Sequence, residues 1–173
     1  PPAMDVLYWN TDTTRLPRAM HSFYLRNCYV KNALVQRDGI TIGGHSIDLR
    51  RINQPLYAVG SDEDHITPWR GTFKTCNLVG GPVRYALSTS GHILGIINPP
   101  VSPPKRAYRA GDWKGETDGK EWRGQHQQVP GTWWQDWTRW LAKHCGPLQA
   151  PPPVQTEKYP TLCPAPGTYV LEH

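Results

Sequence analysis

The sequence lacks a long apolar run, paired cysteines and a nucleophile motif. No apolar stretch approaches the ~20 residues that a membrane-spanning helix needs, so no membrane span is expected. The 4 cysteines form no Cys-x-x-Cys pair, which argues against a zinc ribbon or a disulfide scaffold and favours reduced thiols in a cytoplasmic protein. A Gly-x-Ser-x-Gly or Gly-x-Cys-x-Gly elbow, which presents the nucleophile in many acyl-transfer enzymes, occurs nowhere in the chain.

The charge is basic but unclustered. Lys and Arg total 19 against 14 Asp and Glu, which gives a formal net charge of +5. The basic residues stand in ones and twos, as at Arg50-Arg51 and Lys105-Arg106, and no nucleic-acid-binding motif accompanies them. We interpret the excess as solvated surface charge with no nucleic-acid partner, and it would suit a small anionic substrate such as a CoA ester.

Composition and patterning divide the chain into three predicted regions. These are residues 1–50, 51–146 and 147–173. The first contains a predicted helix from about Arg18 to Ala33 and a hairpin around Gly43-Gly44. The last is rich in proline and is predicted to be an extended tail, whose final residues 171–173 are either native or the remnant of a tag.

The middle region is predicted to hold an α/β core. Two short apolar runs, 55–60 and 83–87, are bounded by turn residues and are typical of strands in a buried parallel sheet. Between them Thr67 is predicted to cap a helix that begins at Pro68. The buried stripe of this helix would contain Trp69, Phe73 and Cys76. The order strand, helix, strand indicates an α/β fold with flanking helices.

The stretch between residue 98 and Pro130 is predicted to be mostly loop, followed by one helix. Thr132 and Gln135 have the spacing of a capping box, in which Thr132 accepts a hydrogen bond from the Gln135 amide. Apolar residues at helical spacing then predict a buried stripe of Trp133, Trp137, Trp140 and Leu141. Gly146 is predicted to close the helix in a left-handed conformation.

Two polar segments follow the two predicted strands. Asp64 comes a few residues after the first strand and His92 a few residues after the second. Because the carboxyl ends of parallel strands meet at one edge, Asp64 can accept from His92 Nδ1–H and leave Nε2 as a general base. Asp62 and Glu63 are alternative partners for the histidine, and an ordinary loop carboxylate or a structural histidine would also explain the pattern.

The order of acid and then base is that of the second half of an α/β-hydrolase triad, whose nucleophile precedes both. His65 lies next to Asp64 in sequence, but adjacent side chains point in different directions, so we interpret it as a supporting or core histidine. No ligand spacing such as His-Glu-x-x-His occurs, which argues against a metal site. The tryptophan-rich helix is interpreted as core rather than as a docking face.

Several long motifs occur in one order over about residues 1 to 170. They are Leu7-Tyr8-Trp9-Asn10, Tyr24-Leu25-Arg26-Asn27, Gly60-Ser61-x-Glu63-Asp64-His65-Ile66, Ser90-Gly91-His92-Ile93-x-Gly95, Trp133-Trp134-x-Asp136-Trp137 and Pro164-Ala165-Pro166-Gly167. On these motifs the chain resembles the C-terminal part of a polyhydroxyalkanoate synthase of the class I type.

The resemblance implies a Cys-His-Asp acyltransferase that polymerises (R)-3-hydroxyacyl-CoA, such as 3-hydroxybutyryl-CoA, into polyester and releases CoA. It implies Asp64 as the triad acid and His92 as the triad base, on the C-terminal half of an α/β-hydrolase fold that is preceded by part of a cap in residues 1–50. No cofactor is implied, since the CoA thioester is a substrate. The family's nucleophile belongs to an upstream elbow that this chain lacks, so the chain alone is expected to be inactive.

The resemblance also implies partners and a location. The family's enzymes are cytoplasmic and associate with polyester granules, and we expect either a homodimer or pairing of this chain with the missing N-terminal part. Two alternatives stay open. The chain could be half of an esterase, lipase or polyester depolymerase, which an upstream serine elbow would indicate. It could also be a non-catalytic module whose aromatic residues bind a polyester granule or a protein.

Overall fold

The main structural unit is a mixed four-stranded sheet with helices on both faces. The computed structural model describes residues 10–11, 13–116, 118–165, 167–168 and 171. Leu7, Tyr8 and Trp9 of the first family motif lie outside the described residues, as do Glu172 and His173 of the suggested tag remnant. Contacts group the chain into two units, residues 1–139 and 140–173. The division into regions 1–50, 51–146 and 147–173 stays a prediction.

The first helix is shorter and less regular than the sequence pattern predicts. Helix α1 spans Arg18–Tyr24, and a π-helical turn, Leu25–Val30, extends it. The wider turn is visible where Lys31 N–H donates to the Arg26 carbonyl at 3.0 Å, five residues back. The chain then leaves the helical path at Asn32, whose φ of 47° lies in the left-handed region. None of the side chains from residue 18 to 30 is buried.

The predicted hairpin is confirmed. Strand β1, Ile40–Ile42, pairs antiparallel with strand β2, His45–Ile47. Gly43 and Gly44 form the turn with φ of 57° and 80°. Two successive positive φ angles are the requirement of a two-residue type I′ turn, which glycine meets without a steric penalty.

The two predicted buried strands are the parallel pair of the sheet. Strand β3, Leu56–Ser61, pairs with β4, Val83–Ser88, so that Leu56 lies beside Val83 and Ser61 beside Ser88. Helix α2, Trp69–Phe73, connects them and continues as a 3₁₀ turn, Lys74–Asn77. The strand order is β3-β4-β5-β6, and no described strand pairs with the outer edge of β3.

The prediction of mostly loop between residues 98 and 130 missed two strands and a helix, which make up about half of this stretch. Strand β5, Ala107–Asp112, pairs antiparallel with β4, and a short strand β6, Val129–Pro130, pairs with β5. Helix α4, Gly119–Gln125, lies between them and is capped by Asp118, which accepts from the Lys120 N–H at 3.0 Å. A short helix α3, Leu94–Ile97, precedes this region and was also not predicted.

Successive side chains of β4 point to opposite faces of the sheet, and both faces are apolar. Val83, Tyr85 and Leu87 point to one side of the sheet. The side chains that cover them there are Trp69 and Phe73 of α2 and Trp122 of α4. Tyr85 and Trp122 meet edge to face with ring centroids 5.0 Å apart. The predicted burial of Trp69, Phe73 and Cys76 is thereby confirmed.

The opposite face of the sheet is covered by the first part of helix α5, which spans Trp133–Ala142. Trp133 packs there on Ala86 and Tyr108. The helix is capped by Thr132 as predicted, but its Oγ1 accepts from the Trp134 N–H at 3.3 Å rather than from the Gln135 amide. Gly146 has the predicted left-handed conformation, with φ of 72°, and residues 147–165 are exposed and contain no helix or strand.

Helix α5 also carries a buried carboxylate, Asp136, that the apolar pattern did not predict. Its Oδ2 accepts from Arg84 Nε at 2.7 Å and from the Tyr57 hydroxyl at 2.8 Å, and its Oδ1 accepts from Arg84 Nη2 at 2.7 Å. Burial on its own would raise the pKa of Asp136, but the bonds from Arg84 and Tyr57 outweigh it and lower that pKa. The network ties α5 to β3 and β4.

Candidate active site

The parallel pair β3 and β4 places two loops at one edge of the sheet. The loop after β3 carries Asp64, and the loop after β4 carries His92. Backbone bonds join the loops, because Asp62 N–H donates to the Ser88 carbonyl at 2.8 Å and Glu63 N–H to the Ser90 carbonyl at 3.1 Å. These bonds continue the ladder of the sheet past the ends of both strands and fix the loops against each other.

Asp64 is held by four hydrogen bonds. Its Oδ1 accepts from the backbone N–H groups of Ile66 at 2.9 Å and Thr67 at 2.8 Å, and its Oδ2 accepts from the Thr67 hydroxyl at 2.7 Å. The fourth bond joins Oδ2 to His92 Nδ1 at 2.8 Å. Although the side chain is only 4% exposed and burial would raise its pKa, the bonds from Thr67, His92 and Ile66 hold the pKa of Asp64 well below its usual range.

The Asp64 carboxylate fixes the tautomer of His92. Because an ionised carboxylate only accepts hydrogen bonds, the neutral imidazole carries its proton on Nδ1 and has a lone pair on Nε2. No described protein group bonds Nε2, and the side chain is 41% exposed. The pair therefore has the geometry of an acid-oriented general base with its reactive nitrogen on the open side.

The contacts in the structure distinguish Asp64 from Asp62 and Glu63, the alternative partners of His92. The carboxylate of Asp62 forms a bidentate ion pair with Arg123, at 3.0 and 2.8 Å, and Glu63 is exposed. Of the two interpretations of His65, a core histidine is wrong, because His65 is exposed, and a supporting histidine stays a prediction. The predicted side-chain cap by Thr67 is wrong too, since the hydroxyl of Thr67 is engaged by Asp64 and α2 has no side-chain cap.

Sequence reasoning missed the groups that hold α3, the helix after His92. The indole N–H of Trp133 donates to the Ile96 carbonyl at 3.0 Å, and that of Trp134 donates to the Ile97 carbonyl at 2.9 Å. Helix α5 thus satisfies carbonyls at the end of α3 that have no partner within that helix. The adjacent Trp133-Trp134 pair, quoted above as a motif, was the only available signal, and it does not reveal a partner 37 residues away.

Curated relatives match this chain over almost its full length. Poly(3-hydroxyalkanoate) polymerase 2 of Ectopseudomonas oleovorans is 41% identical over 172 residues, which make up 99% of this chain and 30% of that protein. The poly(3-hydroxyalkanoate) polymerase of Methylorubrum extorquens is 40% identical over 173 residues, 98% of this chain and 28% of the relative. The poly(3-hydroxyalkanoate) polymerase subunit PhaC of Cupriavidus necator is 39% identical over 171 residues, 98% of this chain and 29% of the relative.

The chain is homologous to the C-terminal part of the poly(3-hydroxyalkanoate) polymerases. No protein-family model matches it. The chain spans less than a third of the length of the polymerases that it matches. Within this segment, the Asp64–His92 pair is the candidate site whose geometry the structure defines.

None of the cysteines in this polymerase segment is placed as an activated nucleophile by the described contacts. Cys76 is fully buried beside Trp69 and Phe73, and burial raises the pKa of its thiol to about 12, so it is protonated at neutral pH. Cys28 is half-buried, and Cys145 and Cys163 are exposed and belong to the unit of residues 140–173.

Two further features of the described residues concern metals and membranes. Among the described residues, no group of three or more His, Cys, Asp or Glu side chains is arranged to hold a metal ion. In the same part of the chain, every helix is too short or too polar to cross a bilayer.

The ionisation of Asp64 is expected to stabilise the folded chain in a pH-dependent way. Because its folded pKa lies below the ordinary value of 3.8, its contribution is complete above that value and is lost as the pH falls through the folded pKa. The difference in unfolding free energy between the wild type and Asp64→Asn should therefore be largest near neutral pH and shrink below pH 3.8. Urea unfolding at a series of pH values measures it.

The exposed neighbour Glu63 supplies the control for this measurement. Glu63→Gln should leave the unfolding free energy nearly unchanged across the same pH series, because surface substitutions away from buried networks usually have small effects. A wild-type advantage over Asp64→Asn that stays constant from neutral to strongly acid pH would contradict the expectation.

Proposed function

We propose that this chain supplies the acid and the base of a Cys-His-Asp triad in a polyhydroxyalkanoate synthase. The observation that carries the proposal is the 2.8 Å hydrogen bond between Asp64 Oδ2 and His92 Nδ1, at the edge where two parallel strands end. The similarity to poly(3-hydroxyalkanoate) polymerases favours acyl transfer from an (R)-3-hydroxyacyl-CoA over the hydrolase alternatives that share this arrangement.

In the proposed reaction, His92 Nε2 removes the proton from an upstream cysteine thiol. The resulting thiolate attacks the carbonyl carbon of the acyl-CoA, the bond from that carbon to the CoA sulfur breaks, and the leaving CoA takes the proton from the imidazolium. His92 then accepts the proton of a hydroxyl group, whose oxygen attacks the carbonyl carbon of the acyl-cysteine. The ester forms as the bond from that carbon to the cysteine sulfur breaks, and the cysteine sulfur takes the proton back from the imidazolium. Asp64 keeps the imidazole oriented and stabilises its charged form throughout.

The proposed fold is the C-terminal half of an α/β-hydrolase sheet. Strand β3 lies at the edge of the described sheet, and no described strand pairs with its outer side. Such an edge is a natural place for a further strand to add. In the proposed enzyme the preceding half of the sheet, with the nucleophile elbow, pairs with β3. Without it, the isolated chain would self-associate through this edge.

Residues 1–50 are proposed to be the end of a cap over the site. Their helical segment, residues 18–30, contains no buried side chain and exposes large apolar side chains: Met20, Phe23, Tyr24, Leu25, Tyr29 and Val30. Burial of such a surface against the remaining cap or a second subunit would be favourable, which supports the proposed homodimer. Cytoplasmic association with the polyester granule completes the proposal.

The proposal is tested by comparing this chain with the intact polymerase that contains it. With (R)-3-hydroxybutyryl-CoA, the intact polymerase should release CoA and form polymer, while the isolated chain should release CoA at the uncatalysed rate, because it lacks both the thiol and the oxyanion-hole N–H next to it. A thiol reagent that absorbs on reaction with free CoA measures both rates.

Each outcome decides one part of the proposal. CoA release by the isolated chain above background would contradict the assignment of the nucleophile to an upstream segment. An intact polymerase that hydrolyses polyester or simple esters but forms no polymer would favour the hydrolase alternative.

A further inference from the structure

Ser61 has a buried hydroxyl that contacts the backbone of the loop that carries His92. It is the last residue of β3 and is only 1% exposed. Its Oγ donates to the Ser90 carbonyl and lies 3.1 Å from the Gly91 carbonyl. These two carbonyls belong to the residues immediately before His92, so the hydroxyl acts on the backbone that carries the imidazole.

The backbone that Ser61 contacts is in an unusual conformation. Ser90 has φ of 88°, in the region that favours glycine. Its carbonyl accepts from the Ser61 hydroxyl and from the Glu63 N–H. Such a conformation persists only when the surrounding structure holds it. The two donors that hold it here come from the last residue of β3 and from the loop that carries Asp64.

Ser61 also fixes the distance between this loop and α3. A Cβ at Gly95 would lie 1.8 Å from the Ser61 Oγ, so only glycine allows the helix after His92 to pack against the hydroxyl. Gly95 N–H in turn donates to the Gly91 carbonyl at 2.9 Å. The hydroxyl therefore lies between the residues before His92 and the residues after it.

We propose that Ser61 is a positioning residue, whose hydroxyl holds residues 90 and 91 so that His92 Nδ1 stays on Asp64. This positioning role rests on the function proposed above. Ser61 does not need to touch the substrate for this role, because it acts through the histidine. A merely structural serine would instead fill space and affect stability without changing how His92 works.

The test uses Ser61→Ala in the intact polymerase, with (R)-3-hydroxybutyryl-CoA as substrate. The kcat for CoA release should fall by about 10- to 100-fold, since a misplacement of about 1 Å can cost as much as 100-fold, while KM stays within about twofold. The limb of the pH profile that reports the base should move to lower pH, because a loosened bond to Asp64 stabilises the protonated imidazole less.

A double substitution separates positioning from general stability. If Ser61 acts through the Asp64–His92 pair, Ser61→Ala should cost little in a polymerase that already carries Asp64→Asn, because the effects of residues that act as a unit are not additive. Equal fold losses in the presence and absence of Asp64 would overturn the proposal. So would a Ser61→Ala polymerase with wild-type kcat and pH profile.

Ser88 is the matched control. It is the register partner of Ser61 on β4 and is equally buried, but its hydroxyl donates to the Thr89 carbonyl and accepts from Asn98. Ser88→Ala should keep kcat within about threefold and leave the pH profile in place, as expected for a hydroxyl outside the coupled pair. A Ser88→Ala variant that reproduces the kcat loss and the pH shift of Ser61→Ala would overturn the specific role of Ser61.

A second variant and the activity of the wild-type polymerase complete the test. If Ser61→Ala does not fold, Ser61→Cys keeps a donor at this position, although a weaker and slightly larger one, and should show a smaller loss of kcat and a smaller pH shift in the same direction. If the wild-type polymerase itself releases no CoA, or releases it independently of His92, the proposed function fails. An active, His92-dependent polymerase that is indifferent to Ser61 refutes the positioning role alone.

Discussion

Replacement of His92 by glutamine in the intact polymerase is expected to reduce CoA release by about 10³-fold, because general acid-base catalysis contributes about 10² to 10⁴ in rate. The imidazole is the group on the described edge whose lone pair faces the open side, and Asp64 holds it there through a 2.8 Å bond. Glutamine fills a similar volume but cannot accept and return a proton at neutral pH. The rate of thiol release at saturating substrate measures the loss.

Asp64→Asn should produce a loss of comparable size, about 10²- to 10⁴-fold, by a different route. The asparagine oxygen can keep the two backbone bonds from Ile66 and Thr67, so the loop is retained. Its amide would donate to His92 Nδ1 and place the proton on Nε2, which removes the lone pair that the reaction needs. Thr67, whose hydroxyl also donates to Asp64, would have to rotate.

Asp62→Asn is the matched control for both substitutions. Asp62 lies two residues away in the same loop, but its carboxylate pairs with Arg123. Its substitution should change CoA release by no more than about threefold, because a partly exposed ion pair contributes only about 0–1 kcal/mol. An Asp62→Asn polymerase as impaired as Asp64→Asn would show that the loop, rather than the acid-base pair, determines the rate.

Removal of the Asp136 carboxylate is expected to destabilise the fold by about 3 kcal/mol, because the partly buried Arg84 loses its buried partner. In Asp136→Ala, Arg84 loses two of its hydrogen bonds, at 2.7 Å each, and the Tyr57 hydroxyl loses one of 2.8 Å. Arg84 is 24% exposed and retains Asp112, which places the cost near the lower end of the range for such pairs. Urea unfolding followed by tryptophan fluorescence measures it.

Asp112→Asn is the control for this prediction, because Asp112 pairs with the same arginine but is 67% exposed. Its loss should cost at most about 1 kcal/mol. Equal effects of the two substitutions would mean that burial does not strengthen the Asp136 interaction. Loss of Asp136 is also expected to affect the candidate site, because Asp136 anchors helix α5. The indole N–H groups of Trp133 and Trp134 on that helix hold α3, the helix after His92.

The sequence predicts the elements whose stabilising contacts are local or repeat with a clear period. The runs that became β3 and β4 are apolar, the Gly43-Gly44 turn has one favoured geometry, and the stripe of Trp69, Phe73 and Cys76 follows the helix period. The proximity of Asp64 and His92 also follows, because parallel neighbours place the loops after them at the same edge.

The missed elements depend on partners that are distant in sequence. Strand β5 contains Arg109, Gly111 and Asp112 and has little apolar pattern of its own, so its ladder with β4 determines its conformation. Helix α4 contains Gly119 and Gly124, which weaken its intrinsic helix propensity, and packing supports it instead through the fully buried Trp122. Neither ladder nor packing is visible before the fold is known.

The same reasoning explains the errors at the site and in the core. The Thr67 hydroxyl bonds a carboxylate three residues earlier, although its position before a proline suggested a helix cap. Asp136 interrupts an apolar stripe because Arg84, 52 residues away, supplies the opposite charge. Ser61 stands in a quoted motif, but nothing indicated its contacts, since its partners are the backbone carbonyls of Ser90 and Gly91, 29 and 30 residues later.

No described strand covers the outer edge of β3, which has a consequence for how the proposed enzyme is made. In the proposed sheet, the half that pairs with β3 is synthesised before this segment and keeps its own edge open until β3 emerges from the ribosome. At about 5–20 residues per second, the 173 residues of this segment take roughly 9–35 s to synthesise. During part of that interval the nascent enzyme exposes a strand edge to other chains, so we expect added chaperones to raise the yield of active polymerase.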